Sequence, residues 1–334
     1  MMDRDEGEFQ FLGFLDIFKE SFIIISSWIK IFTQITIAMI LPLSLIYLGH
    51  IQISHILFSD IMFHEYILNR TPKGTRSYDK ISDILSSELT AFFSFQNWVF
   101  HFLSNSCLLS TSAVVYTIAS IYTANEINLK KVIKVVPKVW KRLMVTFTWN
   151  FLIVFAYNIV SILIFILWAF LFGSIKFVGP IILISLAVIY LSGFVYISII
   201  WHLASVVSVL EEFYGLNAMA KSQGLIRGKT GISAATFLVL SLIFFGIQLG
   251  FEYYVVLGFG GGVASRILYG ILFVVLICLL FLFGLVIQTI IYFVCKSYHH
   301  ERIDKPTLSD HLGGYLGDYV PLKAKDVQLG EFEA

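Results

Sequence analysis

Long apolar stretches alternate with short polar segments along the chain, and this pattern predicts helices that cross a membrane. A spanning helix needs about 20 apolar residues. Six stretches reach that length, at 31–57, 92–122, 143–172, 177–210, 232–258 and 267–295. Open strands cannot span a bilayer, and no alternating ten-residue pattern indicates a barrel. We therefore predict an all-α integral membrane bundle with about six transmembrane helices.

The composition supports this prediction and excludes several classes of protein. Of the 334 residues, 58% are hydrophobic and 13% are charged, and the mean hydropathy is +0.84. A soluble domain is nearer half apolar and a quarter charged. The excess excludes a soluble enzyme, a nucleic-acid-binding domain and a disordered scaffold. We predict an amino-terminal segment at 1–30, a six-span membrane domain at 31–295 and a polar tail at 296–334.

The distribution of Lys and Arg predicts the side of the membrane on which each loop lies. With both termini cytoplasmic, the inside segments hold 17 of the 23 basic residues and the opposite side holds six. Cytoplasmic loops carry such an excess. We therefore expect both termini in the cytoplasm, in an endomembrane (ER or Golgi) or the plasma membrane. The sequon at Asn69 falls in a predicted outer loop, which makes it a candidate glycosylation site.

An amphipathic stretch precedes each odd-numbered span, at 11–30, 129–143 and 211–229. Helices of this kind lie in the headgroup plane, so we expect all three on the cytoplasmic face. In the second stretch we expect Trp140 and the valines to face the bilayer. Its other face would attract anionic headgroups, at about 1 kcal/mol for each cation near the surface. Those cations are Lys130, Lys131, Lys134, Lys138, Lys141 and Arg142.

Polar residues inside the spans are the candidates for a functional site. Asn97, His101 and Asn105 follow one face of the second span. Inside the bundle they could meet other polar residues of the spans, namely Asn150, Asn158, His202, Gln248, Glu252 and Gln288. One interpretation is a hydrophilic path or ligand site near the midplane. The other is hydrogen bonding between helices, which favours association by about 0.6–2 kcal/mol per contact. The sequence shows no catalytic constellation, no metal-ligand spacing and no cofactor motif, so we expect a non-enzymatic protein.

The tail offers a candidate sorting motif and a route to a protein partner. Tyr319 and Leu322 fit the pattern of a tyrosine, two intervening residues and a bulky apolar residue. An extended polar tail on the cytoplasmic side is the right context for such a signal. We therefore expect the cytoplasmic tail to be where a protein partner would bind.

Two resemblances concern the family of the chain. The first is carried by a spaced block that precedes an apolar span: Glu211, Glu212, Gly215, Ala218, Ser222, Leu225 and Gly228. This block resembles the bacterial membrane domain found fused to glycerophosphodiester phosphodiesterases. The whole chain, including the tail HLGGYLGDYVPLK, resembles a family of uncharacterised plant multi-pass membrane proteins. Neither resemblance implies an activity. The hydrolase activity of the bacterial proteins belongs to a soluble phosphodiesterase domain that this sequence does not contain, and the plant family is uncharacterised.

These observations favour a non-enzymatic membrane protein that is associated with lipids or acts as a scaffold. The alternative is a transporter or channel for a small solute or lipid that uses the polar face of the second span. The six-span pattern accommodates both. Loss of flux in His101→Ala with folding intact would favour the transporter, whereas a change limited to thermal stability in Asn97→Ala/Asn105→Ala would make the polar face structural.

Overall fold

The computed structural model describes residues 10–123, 127–172, 175, 177–259 and 261–301. Throughout these residues the chain forms helices joined by short turns and contains no strand, which confirms the all-α prediction. Two short π-helical segments, Thr36–Ile40 and Glu252–Val256, extend neighbouring helices. The α-helices are α1 (Phe14–Ser27), α2 (Ile29–Ile35), α3 (Leu41–Arg70), α4 (Arg76–Tyr122), α5 (Leu129–Phe172), α6 (Val178–Leu210), α7 (Leu216–Leu225), α8 (Thr230–Phe251) and α9 (Val263–Tyr298).

Six helical segments in the described part of the chain are long and apolar enough to cross a membrane. They are Ile29–Arg70, Arg76–Tyr122, Leu129–Phe172, Val178–Leu210, Thr230–Val256 and Val263–Tyr298. Four of them contain a predicted span entirely, and the other two, Val178–Leu210 and Thr230–Val256, match the predicted 177–210 and 232–258 to within two residues at one end. The protein is therefore a multi-pass helical membrane protein. Several are longer than predicted. The 47 residues of α4 extend over about 70 Å at 1.5 Å per residue, well beyond a hydrocarbon core of about 30 Å.

The second predicted amphipathic helix is not a separate element. Residues 129–142 form the first turns of α5, which continues through Pro137 to Phe172 without a break. Val132, Val135 and Val139 are fully buried in the protein core. The expectation that these valines face the bilayer is therefore wrong. Their helical spacing predicts an apolar face, but it cannot distinguish lipid from protein as the surface that covers it.

The helices pack tightly at one end of the bundle, which we call the inner end. Here the last turns of α4, α6 and α9 meet the first turns of α5 and α8, with α1, α2 and α7 around them. Nearly every residue of α4 from 108 to 122 is buried. The same holds for residues 199–210 of α6 and 286–297 of α9. Most of the hydrophobic core lies at this end.

Away from the inner end, α5 and α6 form a hairpin with little cover from the rest of the protein. Leu163 and Ile181 are exposed, as are most apolar side chains of both helices there. The two helices are held together by tyrosines. The Tyr157 hydroxyl donates to the Tyr190 carbonyl at 2.8 Å, and the Tyr190 hydroxyl donates to Asn158 Oδ1 at 3.0 Å. An apolar two-helix surface of this kind suits contact with lipid chains.

Candidate functional site

A cavity of about 400 Å³ lies among α3, α4, α6, α8 and α9 and is partly open to the surface. Along α9 its lining extends from Leu280 to Ile291, which is about 16 Å at 1.5 Å per residue. Nearly all of the lining is apolar, and among the described residues no Asp, Glu, Lys or Arg contributes to it. The volume is in the usual range for small-molecule sites, about 300–1,000 Å³. The site is therefore suited to an uncharged, mainly apolar molecule.

Aromatic rings form the end of the cavity that is farther from the inner end. The Tyr47 ring lies 5.5 Å from that of Phe244 and 6.2 Å from that of Phe281, between centroids. The Tyr47 hydroxyl donates to Gln248 Oε1 at 3.3 Å. These contacts tie α3, α8 and α9 together, and the three rings give this part of the cavity an apolar wall.

A histidine and a glutamine from different helices line the opposite end of the cavity. His202 of α6 donates from Nδ1 to Oε1 of Gln288 on α9 at 3.0 Å. The carboxamide oxygen can only accept, so Nδ1 carries the proton and Nε2 of the neutral ring is an acceptor. Gln288 is 7% exposed, and its Nε2 has no hydrogen-bond partner. A buried unpaired amide is costly, and together with His202 it makes this the polar end of the cavity.

The polar stripe predicted on the second span does not enter this cavity. Asn97 and His101 of α4 are exposed on the surface of the bundle, and Asn105 donates from Nδ2 to the His101 carbonyl of its own helix at 2.8 Å. Neither His202 nor Gln248 meets them, because His202 bonds Gln288 and Gln248 bonds Tyr47. In this structure the predicted residues therefore do not come together as one site. The three α4 residues keep their helical spacing, but no helix of the described chain covers α4 at Asn97 and His101.

The polar contact between α3 and α4 uses residues that the sequence did not single out. His50 Nε2 donates to Gln96 Oε1 at 2.6 Å, and Gln96 Nε2 donates to the Ser54 hydroxyl at 3.0 Å. These contacts join two helices of one hairpin. They fit the alternative interpretation of intramembrane polar residues, in which hydrogen bonds hold helices together.

A charged cluster around Glu211 lies at the inner end, between α6 and α7. Oε1 of Glu211 accepts from the Tyr292 hydroxyl at 2.6 Å and from Lys296 Nζ at 2.7 Å. Oε2 lies 2.7 Å from Lys221 Nζ, which also lies 3.3 Å from a carboxylate oxygen of Glu301. The Glu211 side chain is 9% exposed. The cluster thus joins α6, α7 and α9 through one buried carboxylate.

The charged groups in this cluster shift each other's pKa values. Burial alone would raise the pKa of Glu211, but hydrogen bonds from Lys221, Lys296 and Tyr292 outweigh it and lower the pKa. Burial would lower the pKa of Lys221, but Glu211 outweighs that effect and raises the pKa. Both shifts favour the ionised forms, so the cluster is stabilised in its charged state.

The spaced block that carries the bacterial resemblance folds around this cluster. Gly215 has φ +63° and ψ −137°, a conformation that glycine adopts most easily, and its N–H donates to the Thr146 hydroxyl at 2.7 Å. Ala218, Ser222 and Leu225 are buried on one face of α7, as their spacing predicts. The Ser222 hydroxyl donates to the Ile200 carbonyl at 2.8 Å, so the small residues bring α7 close to α6.

The basic residues at the start of α5 differ in their surroundings. Lys130, Lys134, Lys138 and Lys141 are exposed, whereas Lys131 is half-buried. Arg142 is half-buried too, and its guanidinium donates to the Glu211 carbonyl at 2.6 Å. The exposed lysines keep a basic surface at the inner end, while Arg142 connects α5 to the block.

Two further candidates lie at or beyond the edges of the described structure. Asn69 is exposed in the last turn of α3, just before the turn to α4. Thr71, the third residue of its sequon, donates from its hydroxyl to the Ile67 carbonyl at 2.9 Å. Tyr319 and Leu322 lie outside the described residues. The amino-terminal end of the chain before Gln10 does so as well.

Tyr292 and Lys296 are the important residues that sequence reasoning did not place in a site, whereas Gln288 is among the polar residues expected to meet the face of the second span. Gln288 interrupts the last apolar span, and this was the one available signal. From the sequence alone, Lys296 is an ordinary basic residue at the end of a helix. Its partner, Glu211, lies 85 positions earlier in the chain, and no local pattern predicts such a pairing.

The six membrane-length helices and the cavity between them define the class, a multi-pass helical membrane protein with a mainly apolar cavity. The chain belongs to a family described as a domain of unknown function (DUF8558), whose model matches residues 2–332. Comparison with curated proteins and with solved structures found no match.

Proposed function

We propose that this protein is a non-enzymatic membrane protein that binds a lipid in the cavity between α3, α4, α6, α8 and α9. The observation that carries the proposal is the lining of this cavity of about 400 Å³, which is nearly all apolar and to which no charged residue in the described part of the chain contributes. Inside a bilayer, lipid molecules are the abundant ligands of this chemistry. A partly open cavity at this depth would exchange its occupant with the surrounding membrane.

Transport through a polar path, the alternative function, finds no support in the geometry. It relied on Asn97 and His101, and both side chains are exposed on the surface of α4. The cavity wall near them is contributed by Leu103 and Cys107 instead. Lipid binding, with or without a scaffolding role through the tail, is therefore the function that we propose.

Gly284 provides a direct test of lipid binding, since it lines the cavity and a Cβ added there meets no atom within 4 Å. We expect Gly284→Leu to fill the cavity without a backbone clash. Gly270→Leu is the matched control, because Gly270 lies in the same helix with equally open space and does not line the cavity. Both changes should favour helix by roughly 1 kcal/mol, since glycine is a poor helix former.

The readout is native mass spectrometry of each protein purified in mild detergent. We expect wild-type protein and Gly270→Leu to retain a stoichiometric lipid and Gly284→Leu to lose it at least tenfold. Leu240→Trp, on another wall of the cavity, serves as a second filling variant if Gly284→Leu does not yield monodisperse protein. Equal lipid retention by a folded filling variant and by wild type would overturn the proposal.

We also propose that the inner end faces the cytoplasm, in an endomembrane or the plasma membrane of a eukaryotic cell. The proposal is supported by the excess of Lys and Arg on that side and by the exposed lysines of α5. The exposed apolar side chains of Phe11, Leu15 and Phe22 on and beside α1 support an interfacial position for that helix. We also propose, from the resemblance to plant multi-pass proteins, that the family occurs in plants.

Glycosylation tests this orientation. In cells of a eukaryotic host, Asn69 should carry an N-glycan that an amidase removes, and Asn69→Gln should abolish the resulting mobility shift. The control is Lys130→Thr, which creates a sequon at Asn128 on the proposed cytoplasmic side and should leave the protein unmodified there. A glycan at Asn128 in that variant would contradict the orientation.

A further inference from the structure

The position of the cavity along the helices indicates which leaflet supplies its lipid, an inference that rests on the proposed lipid-binding function. In each of the five spanning segments that line it, the lining residues lie between the inner end and about the middle of the segment. On α8, for example, the lining extends from Ser233 to Phe244 within Thr230–Val256. The cavity therefore occupies the half of the membrane domain next to the inner end.

The exposed face of α5 marks the level at which the hydrocarbon core begins at the inner end. The last of the exposed lysines on its first turns is Lys141, and the next exposed residue along the helix is Val145. From there on the exposed side chains are mainly apolar and include Leu152 and Phe155. Lysine side chains extend into the headgroup region, whereas apolar side chains face the lipid chains. The inner boundary of the core therefore lies near Val145.

Distances along the helices give the depth of the cavity below this boundary. Thr146 Oγ1 lies 2.8 Å from Ser208 Oγ, so Ser208 of α6 lies at the level of the boundary. His202 is about 9 Å deeper along α6, at 1.5 Å per residue. Gln288 lies at the depth of His202 because the two side chains are bonded. Leu280, the deepest lining residue of α9, is about 12 Å further, so the cavity ends about 21 Å from the boundary along the helix axes.

The depth measured perpendicular to the membrane is smaller than this distance. The part of α5 from Val145 to Phe172 is about 40 Å long, and it fits a hydrocarbon core of about 30 Å when the helix is tilted. At the same tilt, about 21 Å along a helix corresponds to a depth of about 16 Å, or half of the core. The cavity therefore extends through one leaflet, from near the inner boundary to the bilayer midplane.

The accessible wall of the cavity suits a hydrocarbon chain rather than a headgroup. Gln288 Nε2 and Ser233 Oγ have no hydrogen-bond partner, but both atoms are themselves buried and do not face the open volume. The Thr236 hydroxyl donates to the Ile232 carbonyl of its own helix at 2.8 Å. What remains accessible is nearly all apolar. A phosphate or another polar headgroup would lose its hydration there without a replacement, whereas a hydrocarbon chain would not.

We infer that the cavity holds one acyl chain of a phospholipid from the leaflet next to the inner end, while the headgroup stays outside the cavity. The first carbons of the chain lie beside His202, and its methyl end lies among the rings of Tyr47, Phe244 and Phe281. The cavity extends about 16 Å along α9, close to half of a core of about 30 Å. An empty cavity would forfeit dispersion contacts along its wall, so an occupant is favoured although no water is displaced.

Photoactivatable phosphatidylcholine tests the inference. A diazirine loses N₂ on irradiation and leaves a carbene, which inserts into a nearby C–H or O–H bond of the protein. Full-length protein in nanodiscs is irradiated with lipid that carries the diazirine near the methyl end of one chain, near its carboxyl end, or in the headgroup. Mass spectrometry maps the crosslinked residues. We expect the methyl-end probe on Tyr47 or Phe281, the carboxyl-end probe beside His202, and the headgroup probe on no lining residue.

Two variants and a second lipid serve as controls. Gly284→Leu should lower labelling of Tyr47 and Phe281 by the methyl-end probe at least tenfold, because it fills the cavity, whereas Gly270→Leu should leave it within twofold of wild type. Exposed residues of the α5 and α6 hairpin, such as Leu163, contact lipid in every variant and provide the internal reference. Phosphatidylglycerol with the same methyl-end probe should label the same residues within twofold, because its headgroup does not enter.

A methyl-end probe that labels the His202 end instead would place the lipid in the opposite leaflet and overturn the inference. Labelling of lining residues by the headgroup probe, or by none of the three probes, would overturn it as well. None of these results affects the broader proposal if Gly284→Leu still loses its co-purifying lipid. If Gly284→Leu retains that lipid, lipid binding in the cavity fails, and the inference fails with it.

Discussion

Both ends of α5 carry apolar side chains, but those side chains have opposite surroundings. Leu143, at the inner end, is fully buried against protein, whereas Leu163, in the hairpin with α6, is 59% exposed. Lipid chains are as apolar as leucine, so the hydrophobic effect does not drive leucine side chains in a membrane to pack against each other. The inner end is instead held by close packing and by the Glu211 cluster. In this protein the closely packed region is therefore the inner end, whereas the most exposed apolar surface is the hairpin of α5 and α6.

Glu211→Ala should have the largest effect on the inner end. The change removes the carboxylate that both Lys221 and Lys296 contact. We expect a loss of about 3 kcal/mol in the free energy of unfolding, the lower part of the range for breaking a buried pair, because Lys221 keeps part of its surface exposed. Thermal unfolding in detergent, followed by tryptophan fluorescence, measures it. The control is Glu212→Ala, at an exposed neighbour. Equal effects of the two changes would show that the cluster contributes nothing specific.

Leucine truncation within α5 tests the comparison itself. We expect Leu143→Ala to cost about 2 kcal/mol, because it leaves a cavity in packed protein. Leu163→Ala should cost less than about 0.5 kcal/mol, as for exposed positions elsewhere. Both variants lie in one helix and lose the same atoms, so their difference in unfolding temperature isolates the surroundings. If Leu163→Ala is as destabilising as Leu143→Ala, the hairpin is packed against something that this structure lacks.

Gly215→Ala should have an intermediate to small effect. The positive φ is unfavourable for alanine, and the added Cβ would lie 3.3 Å from side-chain atoms of Trp149 and Val145. We expect a loss of about 1–2 kcal/mol. Gly224→Ala in α7 is the control, because a Cβ there meets no atom within 4 Å. That change should be neutral or slightly stabilising, and a result with the two reversed would show that the conformation at Gly215 is not required.

The smallest expected effect is on the pH dependence of stability. The pKa of Glu211 is lowered in the folded state, so its contribution is present at neutral pH. That contribution is lost as the pH falls below the ordinary glutamate value, about 4.3, toward the folded pKa. The difference in unfolding temperature between wild type and Glu211→Gln should therefore narrow between pH 5 and pH 3. A difference that stays constant over this range would contradict the lowered pKa.

Hydropathy alone predicts the six long helices, because a bilayer-spanning segment has a length and composition that few other segments share. The helical spacing of Ala218, Ser222 and Leu225 also predicts the buried face of α7. It cannot predict which helices lie against protein and which against lipid. His101 and His202 both lie within apolar spans, yet only His202 lines the cavity. The pairing of His202 with Gln288 depends on the approach of α6 to α9, which no local pattern encodes.

The central claim, a lipid in the intramembrane cavity, is tested most directly by an electron cryo-microscopy map of the protein in nanodiscs that contain total membrane lipid. We expect elongated density that begins beside His202 and extends toward Tyr47. Gly270→Leu should show the same density, and Gly284→Leu should lack it. A wild-type map in which the cavity is collapsed, or in which only isolated water-sized density lies beside Gln288, would contradict the account.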